Sequence, residues 1–327
     1  MSIVVVEPGL VTSVQDRGRS GMAAFGVGCA GPMDDVAFRL ANALVGNDAD
    51  AAALECALLG PTLRFESPAW IALTGADFGA RADTRELPCW QTLEVAAGDT
   101  IELGNARRGA VGYLAIAGGI ASDRVLGSRA TDLGARIGAF GGRALRAGDV
   151  LAIGAQTTLA AADAARTSAR RGWSLDPRPW FDADPRHALH VIRGSHFDAL
   201  DSDSQRAFYA AQFHVGAQSN RVGIRLQGVP LTLEKPLELV SEAVATGTLQ
   251  LPPGGTPIAL AADHPTVGGY PRIGQIAAID LPRLAQRRPG AAVRFREIDR
   301  DDAQTRYLLR ERELARLCEA ITQRLQA

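Results

Sequence analysis

Short apolar runs that end near glycine or proline recur along this chain, and they restrict the available folds more than any other sequence feature. Examples are Ile3–Val6, Trp70–Leu73 and Gly112–Ala117, each followed within two residues by glycine or proline. Runs of this length between turn residues are typical of buried β-strands. Since 35 of the 327 residues are glycine and 17 are proline, the sequence predicts a mainly β protein with many tight turns.

A Gly-Asp turn followed by an alternating strand occurs more than once. It is present at Gly98-Asp99 and at Gly148-Asp149, and a looser copy without the aspartate is centred on Gly290. Glycine permits a positive φ in such a turn. We predict strands that start near the end of a sheet or barrel at each copy.

Helical periodicity is confined to a few segments. Asp34–Val45 carries apolar residues on one face, starts with two aspartates suited to N-capping and is followed by Gly46. Leu281–Gln286 has a proline near its start, as many short helices do. Residues 301–327 carry a helical apolar stripe with arginines and glutamates opposite. We predict a few short helices and a C-terminal amphipathic helix.

The length of 327 residues is about twice that of a usual domain, so two domains are expected. The composition changes after Ala155, where alanine, arginine and aspartate prevail and prolines cluster. We predict an N-terminal β domain over residues 1–155, a linker with one short helix over 156–186, a C-terminal β domain over 187–300, and the final helix over 301–327.

Composition also excludes several classes of function. The formal net charge is −1 at pH 7 and the pI is about 6.5, so no general attraction to nucleic acid or to an anionic membrane is expected. No apolar stretch reaches the ~18–20 residues of a membrane span, and the apolar run near the N-terminus is too short for a signal peptide. The four cysteines form no CxxC pattern and the five histidines no HExxH pattern. Free thiols, no metal site and a cytoplasmic location are expected.

Several segments combine glycine with polar side chains that a scaffold alone does not need. They are Pro8–Arg19, Gly118–Ile120, Gly127–Asp132, Ser219–Leu226 and Ala262–Pro271. Glycine lets backbone N–H groups approach a ligand, and the guanidinium group matches carboxylate and phosphate. Each segment is therefore a candidate wall of an anion or amide pocket, although no Walker loop and no GxGxxG loop is present.

The same residues also have purely structural interpretations. Arg221 and Arg225 lie four residues apart in a strand-like setting and would then pair with acidic neighbours. His264 precedes a proline and would cap a turn. Asp16 would join a surface ion network with nearby arginines, worth about 0–1 kcal/mol. Both interpretations stay open at the level of sequence.

Taken in order along the chain, eight segments resemble the biotin-dependent carboxyltransferase family, also called the allophanate hydrolase subunit 2 family. They are PGLVTSVQDRGR (Pro8–Arg19), GPMDDVAFRLANALVGN (Gly31–Asn47), ALECALLGPTLRF (Ala53–Phe65), LTGADF (Leu73–Phe78), YLAIAGGI (Tyr113–Ile120), LGSRATDLGA (Leu126–Ala135), SNRVGIRLQG (Ser219–Gly228) and ADHPTVGGYPRIGQIAAIDLPRLAQRRPG (Ala262–Gly290). Eight collinear matches are much more specific than any one of them. The resemblance covers nearly the whole chain, from about Ile3 to Phe295.

This resemblance implies two cyclophilin-like β-barrel domains, in agreement with the strand-rich sequence. It implies partners as well, because family members work beside a B-type subunit of related fold and, in 5-oxoprolinase, beside a separate A-type subunit. The implied activity is that of the C-type subunit of an ATP-dependent 5-oxoprolinase, an amide hydrolase that opens 5-oxo-L-proline to L-glutamate. The chain alone would then be inactive. ATP bound by the complex is the implied cofactor, and Mg²⁺ is a candidate second one.

The resemblance also suggests roles for the polar residues of the glycine-rich segments. The candidate residues for binding substrate or phosphate are Arg19, Arg129, Arg221, Arg225 and Thr266. The candidate catalytic residues are Asp16, Glu242 and Asp263, which would move protons or hold magnesium, and Tyr270, which would orient the substrate. We expect loops from both halves to gather these side chains around a small cyclic amide.

Two other functions are compatible with the resemblance. One is transfer of a carboxyl group from carboxybiotin to urea or a related amide; biotin would come from another polypeptide, since Lys235, the only lysine, lies in no biotin-carrier motif. The other is a non-catalytic antagonist of a sensor-kinase inhibitor protein. Departures from the family pattern leave the substrate open. Asn220 stands where aspartate is usual, Ala243 where glycine is usual, and His264–Val267 where Arg-Gln-Thr-Thr is frequent.

Overall fold

The computed structural model describes residues 1–155 and 173–326. The chain divides into two compact units. The first comprises residues 1–19, 30–182 and 313–327, and the second comprises residues 20–29 and 183–312. Residues 156–172, the larger part of the predicted linker with its short helix, lie outside the described residues. The boundaries proposed from the sequence stay a prediction.

The described part of the first unit is built mainly of strands. They are β1 Ser2–Glu7, β2 Val11–Gln15, β3 Ala53–Ala57, β4 Thr62–Phe65, β5 Ala69–Asp77, β6 Arg81–Ala82, β7 Arg85–Glu86, β8 Thr92–Val95, β9 Thr100–Glu102, β10 Arg108–Ile116, β11 Ile120–Ala121 and β12 Val150–Ile153. A seven-stranded sheet has the order β11-β12-β1-β4-β9-β6-β7, and a five-stranded sheet has the order β2-β3-β10-β5-β8. Two helical segments, α1 Asp35–Leu44 and α2 Ala139–Gly142, accompany them.

Burial along the strands follows their position in these sheets. In β1, Ile3 and Val5 are fully buried while Val4 between them is half-buried, which is the alternation expected of a strand with one face on the core. In β10 every residue from Gly109 to Ile116 is buried. That strand lies between β3 and β5, and α1 packs across β5 and β10, so both of its faces are covered.

Helix α1 begins and ends as the sequence predicts. The Asp34 side chain accepts a hydrogen bond from Ala37 N at 3.0 Å and so satisfies one of the free amides of the first turn. Val45 ends the helix, and Gly46 follows with a φ of 68°. The apolar face predicted for this segment is buried, from Val36 to Leu44, except for the partly exposed Arg39.

The second unit contains β13 Leu189–Arg193, β14 Phe213–Val215, β15 Gly223–Gln227, β16 Glu242–Ala243, β17 Thr248–Gln250, β18 Ile258–Leu260, β19 Val267–Gly268, β20 Arg272–Ile276, β21 Ala292–Val293 and β22 Phe295–Glu297. An eight-stranded, nearly closed barrel has the order β21-β14-β15-β18-β17-β20-β13-β22 and is antiparallel except between β13 and β22. Strands β16 and β19 form a separate ribbon. The helices are α3 Ser202–Ala210, α4 Leu281–Ala285 and α5 Arg300–Gln326, whose C-terminal half belongs to the first unit. Single 3₁₀ turns lie at Ala23–Phe25, Phe197–Ala199 and Ala278–Asp280.

Aromatic side chains fill the core of the second unit. The Phe208 ring of α3 stacks on Phe295 of β22 with ring centroids 4.9 Å apart. Phe197 meets Phe208 edge-on at 5.7 Å, and Phe213 of β14 lies 5.7 Å from Phe295. All four rings are buried, and such contacts add about 0.5–1.5 kcal/mol per pair to the burial itself.

Helix α3 was missed by the sequence analysis. It begins after Asp201, whose side chain accepts from Ser204 N at 2.7 Å, so the capping signal was present. Only Ser204 and Phe208 of its nine residues are buried, which leaves too few apolar positions for a visible stripe. The aromatic packing of Phe208 fixes this helix more than its own periodicity does.

The Gly-Asp turns are confirmed. Gly98 and Gly148 have φ values of 90° and 87°, and in each case the following aspartate accepts a backbone N–H three residues before it. Gly290 has a φ of 83° before β21. The first turn leads from β8 to β9, which lie in different sheets, and thus carries the chain from one sheet to the other.

The predicted fold class is confirmed. The chain is mainly β, with few helices in the described ranges and a helix at its C-terminal end. Among the described residues, no helix combines the length and the apolar character needed to cross a membrane.

Candidate functional site

Asp16 directly follows β2 and anchors the loop around Ser128. Its Oδ1 accepts hydrogen bonds from Gly18 N at 2.9 Å and from Ser128 Oγ at 2.5 Å, and its Oδ2 accepts from Arg129 N at 2.5 Å. Asp16 is buried, so the surface ion network considered for it is wrong. Three donors on one carboxylate make a strong structural anchor, and the role of Asp16 in proton transfer stays a prediction.

The anchored loop contains a strained turn. Val125 and Ser128 exchange backbone hydrogen bonds, and Leu126 and Gly127 between them have φ values of 52° and 83°. Two positive φ values in a two-residue turn are the type I′ arrangement, which suits glycine and disfavours leucine by about 1–2 kcal/mol. The Arg129 side chain closes the loop, since its Nε donates to Ser122 O at 2.8 Å.

Arg19 approaches the same loop from within the first unit. It is 2% exposed, and its Nη2 donates to Ala130 O. Its Nε and Nη1 find no hydrogen-bond partner within the described ranges. The neighbouring Gln15 Nε2 donates to Thr131 O at 2.9 Å, so successive carbonyl groups of the loop are held by side chains from the β2 region. An unsatisfied buried donor costs about 1–3 kcal/mol, more when charged, and calls for an explanation.

In the second unit, Arg221 and Asp263 form a buried pair. Arg221 Nε donates to Asp263 Oδ2 at 3.0 Å, and Nη2 donates to Oδ1 at 2.7 Å. The backbones are joined too, since Asp263 N donates to Arg221 O at 2.7 Å. Pairing with an acidic residue was the structural interpretation of Arg221, and it is confirmed. The nearby Asn220 side chain accepts from Val222 N and Gly223 N and so shapes the turn before β15.

The remaining candidates of the second unit do not join this pair. Arg225 lies on β15 with an exposed side chain and forms no ion pair within the described part of the chain. Glu242 of the ribbon pairs with Arg272 at an exposed position. Thr266 accepts from Val244 N through its backbone oxygen. Their roles as binding or catalytic residues stay predictions.

Tyr270 lines a pocket of about 740 Å³ that the sequence analysis missed. Its walls come from residues 230–233, 236–239, 251–255 and 269–271 and are mainly proline and leucine. Polar groups are few, namely the hydroxyl groups of Thr232 and Tyr270 and the carboxylate of Glu238. An apolar pocket with a few polar groups suits a small organic ligand. The run Pro252-Pro253-Gly254-Gly255 was the available sequence signal.

A second missed feature is a buried carboxylate network in the first unit. Tyr113 Oη donates to Glu55 Oε2 at 2.7 Å and accepts from Asp34 N at 2.8 Å, while Met33 N also donates to Glu55 Oε2. Burial, together with the charges of Glu55 and Asp34, holds the pKa of Tyr113 well above its usual value. The hydroxyl group therefore stays a donor. Glu55 within the apolar run of β3 was the sequence signal.

The described residues do not fit a magnesium site. Among them, no group of three or more histidine, cysteine, aspartate or glutamate side chains is arranged to hold a metal ion. The candidate carboxylates of Asp16, Asp263 and Glu242 are each engaged by donors of the chain itself. The three candidate carboxylates therefore do not form a set of magnesium ligands.

Comparison with known proteins points to one family. The sequence matches the carboxyltransferase domain, subdomain A and B, over residues 25–297. The C subunit of 5-oxoprolinase from Escherichia coli is 36% identical over 299 residues, which are 91% of this chain and 92% of that protein. The corresponding C subunit from Haemophilus influenzae is 34% identical over 291 residues, 89% of each chain.

The fold is shared with a much larger enzyme. The crystal structure of the K. lactis urea amidolyase superposes with a TM-score of 0.84 at 28% identity, over 96% of this chain. This chain corresponds to only 20% of that protein.

Proposed function

The chain belongs to the carboxyltransferase domain family, subdomain A and B, and from that premise we propose that it is the C subunit of a 5-oxoprolinase. The observation that carries the proposal is the match in length. Both 5-oxoprolinase C subunits align over about nine tenths of their own chains, whereas the Saccharomyces cerevisiae urea amidolyase aligns over 16% of its length. This chain therefore matches about nine tenths of each C subunit but only a small part of the urea amidolyase.

The proposed reaction is the ATP-driven opening of the lactam ring of 5-oxo-L-proline by water to give L-glutamate. Amide resonance protects the carbonyl carbon, so the enzyme must stabilise negative charge that develops on the amide oxygen or on a group attached to it. The ground-state substrate also carries a carboxylate. Both needs are met by positive charge placed in a site from which water is excluded.

Within the first unit, the loop Leu126–Asp132 offers such charge. Arg19 beneath it is buried and forms no ion pair among the described residues, so its charge is poorly screened. The Arg19 Nε and Nη1 groups, which have no partner among the described residues, are shielded from solvent. Arg19 would therefore act through the electrostatic potential of its positive charge and through its hydrogen bond to Ala130 O. Arg129 on the loop is partly exposed and is the contact candidate. Asp16 would position both by fixing the loop.

The proposal includes partners of types A and B, a cytoplasmic location and inactivity of the isolated chain. It rests here on the fact that both relatives are named as subunits. ATP dependence is proposed for the complex. The sequence of this chain contains no Walker loop.

The experiment is to purify the chain with the proteins encoded beside it and to measure ATP-dependent glutamate formation from 5-oxo-L-proline. Activity of the full set and none of the chain alone would support the proposal. Arg129→Gln should lower turnover at unchanged assembly, and Arg64→Gln, an exposed arginine paired with Glu66, is the matched control. Complete assembly with no glutamate formed would contradict the proposal and favour a regulatory role.

A second candidate is carboxyl transfer to urea. It is favoured by the superposition on urea amidolyase over 96% of this chain, which is the wider structural match. The same complex, supplied with a carboxylated biotin carrier and urea, separates the two functions. Carboxylation of urea without hydrolysis of 5-oxo-L-proline would favour this second function.

A further inference from the structure

A pocket of about 520 Å³ in the first unit lies apart from the residues of the candidate site. Its lining includes two arginines, two acids and two aromatic residues, namely Arg107, Arg108, Asp77, Glu86, Trp90 and Phe181. We name it the Trp90 pocket. Its volume is within the range of about 300–1,000 Å³ that is usual for small-molecule sites.

The charges of the Trp90 pocket do not neutralise one another. Among the described residues, neither arginine forms an ion pair, and neither acid does. Within the described part of the chain, the Asp77 carboxylate accepts one hydrogen bond, from Gly79 N to Oδ1 at 2.8 Å, which leaves Oδ2 available. Two basic and two acidic residues thus line one cavity without pairing with one another; Arg107, Arg108 and Glu86 are exposed, and Asp77 is half-buried.

The aromatic wall is fixed in place. The Trp90 and Phe181 rings lie 6.0 Å apart at 54°, and the Arg108 guanidinium lies 5.3 Å from the Phe181 centroid. Trp90 has a φ of 64°, and this unfavourable conformation is held by hydrogen bonds from Trp90 N to Leu73 O and from Leu175 N to Trp90 O. Backbone strain of this kind is concentrated at functional sites.

Arg107 is also pre-positioned. A Cβ atom on Gly79 would lie 2.2 Å from Arg107 Cζ, so the guanidinium group packs directly on this glycine, which has a φ of 58°. Arg107 N donates to Asp77 O at 2.6 Å, which ties the two oppositely charged residues together through the backbone. This packing reduces the freedom that the Arg107 side chain would lose when a ligand binds.

Cys89, the remaining reactive group of the wall, is inert. Burial, with a smaller contribution from the charge of Asp77, raises the pKa of its thiol to about 12. At neutral pH the thiol is therefore protonated and a poor nucleophile. The pocket has the features of a binding site and lacks an activated nucleophile.

We propose that the Trp90 pocket binds a free α-amino acid with a large apolar side chain. A ligand with a single charge can pair with only one set of groups and so forms fewer charge-assisted hydrogen bonds. A zwitterion pairs with both, its carboxylate with Arg107 or Arg108 and its ammonium group with Asp77 or Glu86. The side chain then packs against Trp90 and the apolar residues beside it.

The proposal is tested by calorimetric titration of the full chain with L-phenylalanine, with L-leucine and with two singly charged analogues of L-phenylalanine. The amino acids should bind saturably at one site. N-acetyl-L-phenylalanine lacks the positive charge, and L-phenylalaninamide lacks the negative one. Each should bind with an affinity at least about tenfold lower than that of L-phenylalanine. The proposal is overturned if either analogue binds as tightly as L-phenylalanine. It is also overturned if neither L-phenylalanine nor L-leucine binds saturably.

Variants place the ligand in the pocket. Arg107→Gln and Asp77→Asn should each weaken phenylalanine binding by about tenfold, and Asn keeps an acceptor for Gly79 N. Arg64→Gln is the control and should bind as the wild type does. Unchanged binding by both pocket variants, with thermal unfolding like that of the wild type, overturns the assignment. Because neither partners nor turnover are needed, the outcome is independent of the proposed 5-oxoprolinase activity.

Discussion

The Arg221 guanidinium group donates two hydrogen bonds, of 3.0 Å and 2.7 Å, to the Asp263 carboxylate. Only 10% of the arginine side chain and 1% of the aspartate side chain is exposed. A buried bidentate pair is costly to break, because the partner that remains is a desolvated charge. The pair also joins the turn before β15 to residue 263, which lies 42 residues further along the chain.

We expect Arg221→Met to lower the free energy of unfolding by about 3–5 kcal/mol, as measured by urea denaturation. Arg221→Met combined with Asp263→Leu should recover most of this loss, because no unpaired charge then remains buried. Arg206→Met is the control, since its pair with Asp203 is exposed and worth about 0–1 kcal/mol. A single variant as stable as the control would contradict the prediction.

The double variant also separates structure from function. If Arg221 only supports the fold, restored stability should bring back glutamate formation in the complex. If either side chain of the pair acts on the substrate, turnover should stay low although the stability is recovered. A structural and a functional role of the Arg221–Asp263 pair are thereby distinguished.

Local signals explain what the sequence predicted well. Helix α1 has both an apolar face and a capping aspartate, Asp34, within a few residues, and Gly98 and Gly148 have the positive φ that their Gly-Asp turns require. These features depend on neighbours in sequence. Helix α3 instead depends on the packing of Phe208 against Phe295, which lies 87 positions further along the chain. The sequence of this helix shows no apolar stripe of its own.

The sequence indicated which residues belong to the candidate site but not which of them contact one another. The glycine-rich segments containing Asp16 and Arg129 were identified from the sequence, but their contact across 113 positions depends on the tertiary fold. The burial of Arg19 has the same cause. The Tyr270 pocket and the Trp90 pocket are formed by segments distant in sequence, and no local pattern of charge or periodicity indicates either one.

Asp16→Asn should loosen the loop around Ser128. The carboxamide has one acceptor oxygen for three donors, so the hydrogen bond from Arg129 N or from Ser128 Oγ is lost. We expect a loss of about 1–3 kcal/mol in unfolding free energy and faster hydrogen exchange at the Arg129 amide. Ser128→Ala removes a donor to Asp16 and also the acceptor of Ala130 N, so it should cost a similar amount, about 1–3 kcal/mol, but it leaves Arg129 N bonded to Asp16 Oδ2. Exchange at the Arg129 amide that is no faster in Asp16→Asn than in Ser128→Ala would contradict the role of Asp16 as the anchor.

The cysteines should differ in reactivity. Burial raises the pKa of Cys56 and of Cys89 to about 12, so at pH 8 both thiols are almost entirely protonated and react slowly. Cys29 is exposed and should be alkylated first by iodoacetamide, as followed by peptide mass spectrometry. Labelling of Cys56 should require unfolding in urea, whereas Cys89, which is partly exposed and lines the Trp90 pocket, should react more slowly than Cys29 in the native state. Native-state labelling of Cys89 as fast as that of Cys29 would contradict the raised pKa of its thiol.

Tyr113→Phe removes the hydroxyl group that links Glu55 to the start of α1. Glu55 loses a hydrogen-bond donor and Asp34 N loses its acceptor, so we expect a loss of about 1–3 kcal/mol in urea denaturation at pH 7. Because the pKa of Tyr113 is raised in the folded state, its contribution is fully present below the ordinary value of 10.0 and is lost as the pH rises above it. The stability difference between wild type and variant should therefore be constant at neutral pH and shrink in alkali. Tyr307→Phe, at a partly exposed ring, is the control and should change stability little; an equal effect of the two substitutions would show that the buried hydroxyl group does not support the helix.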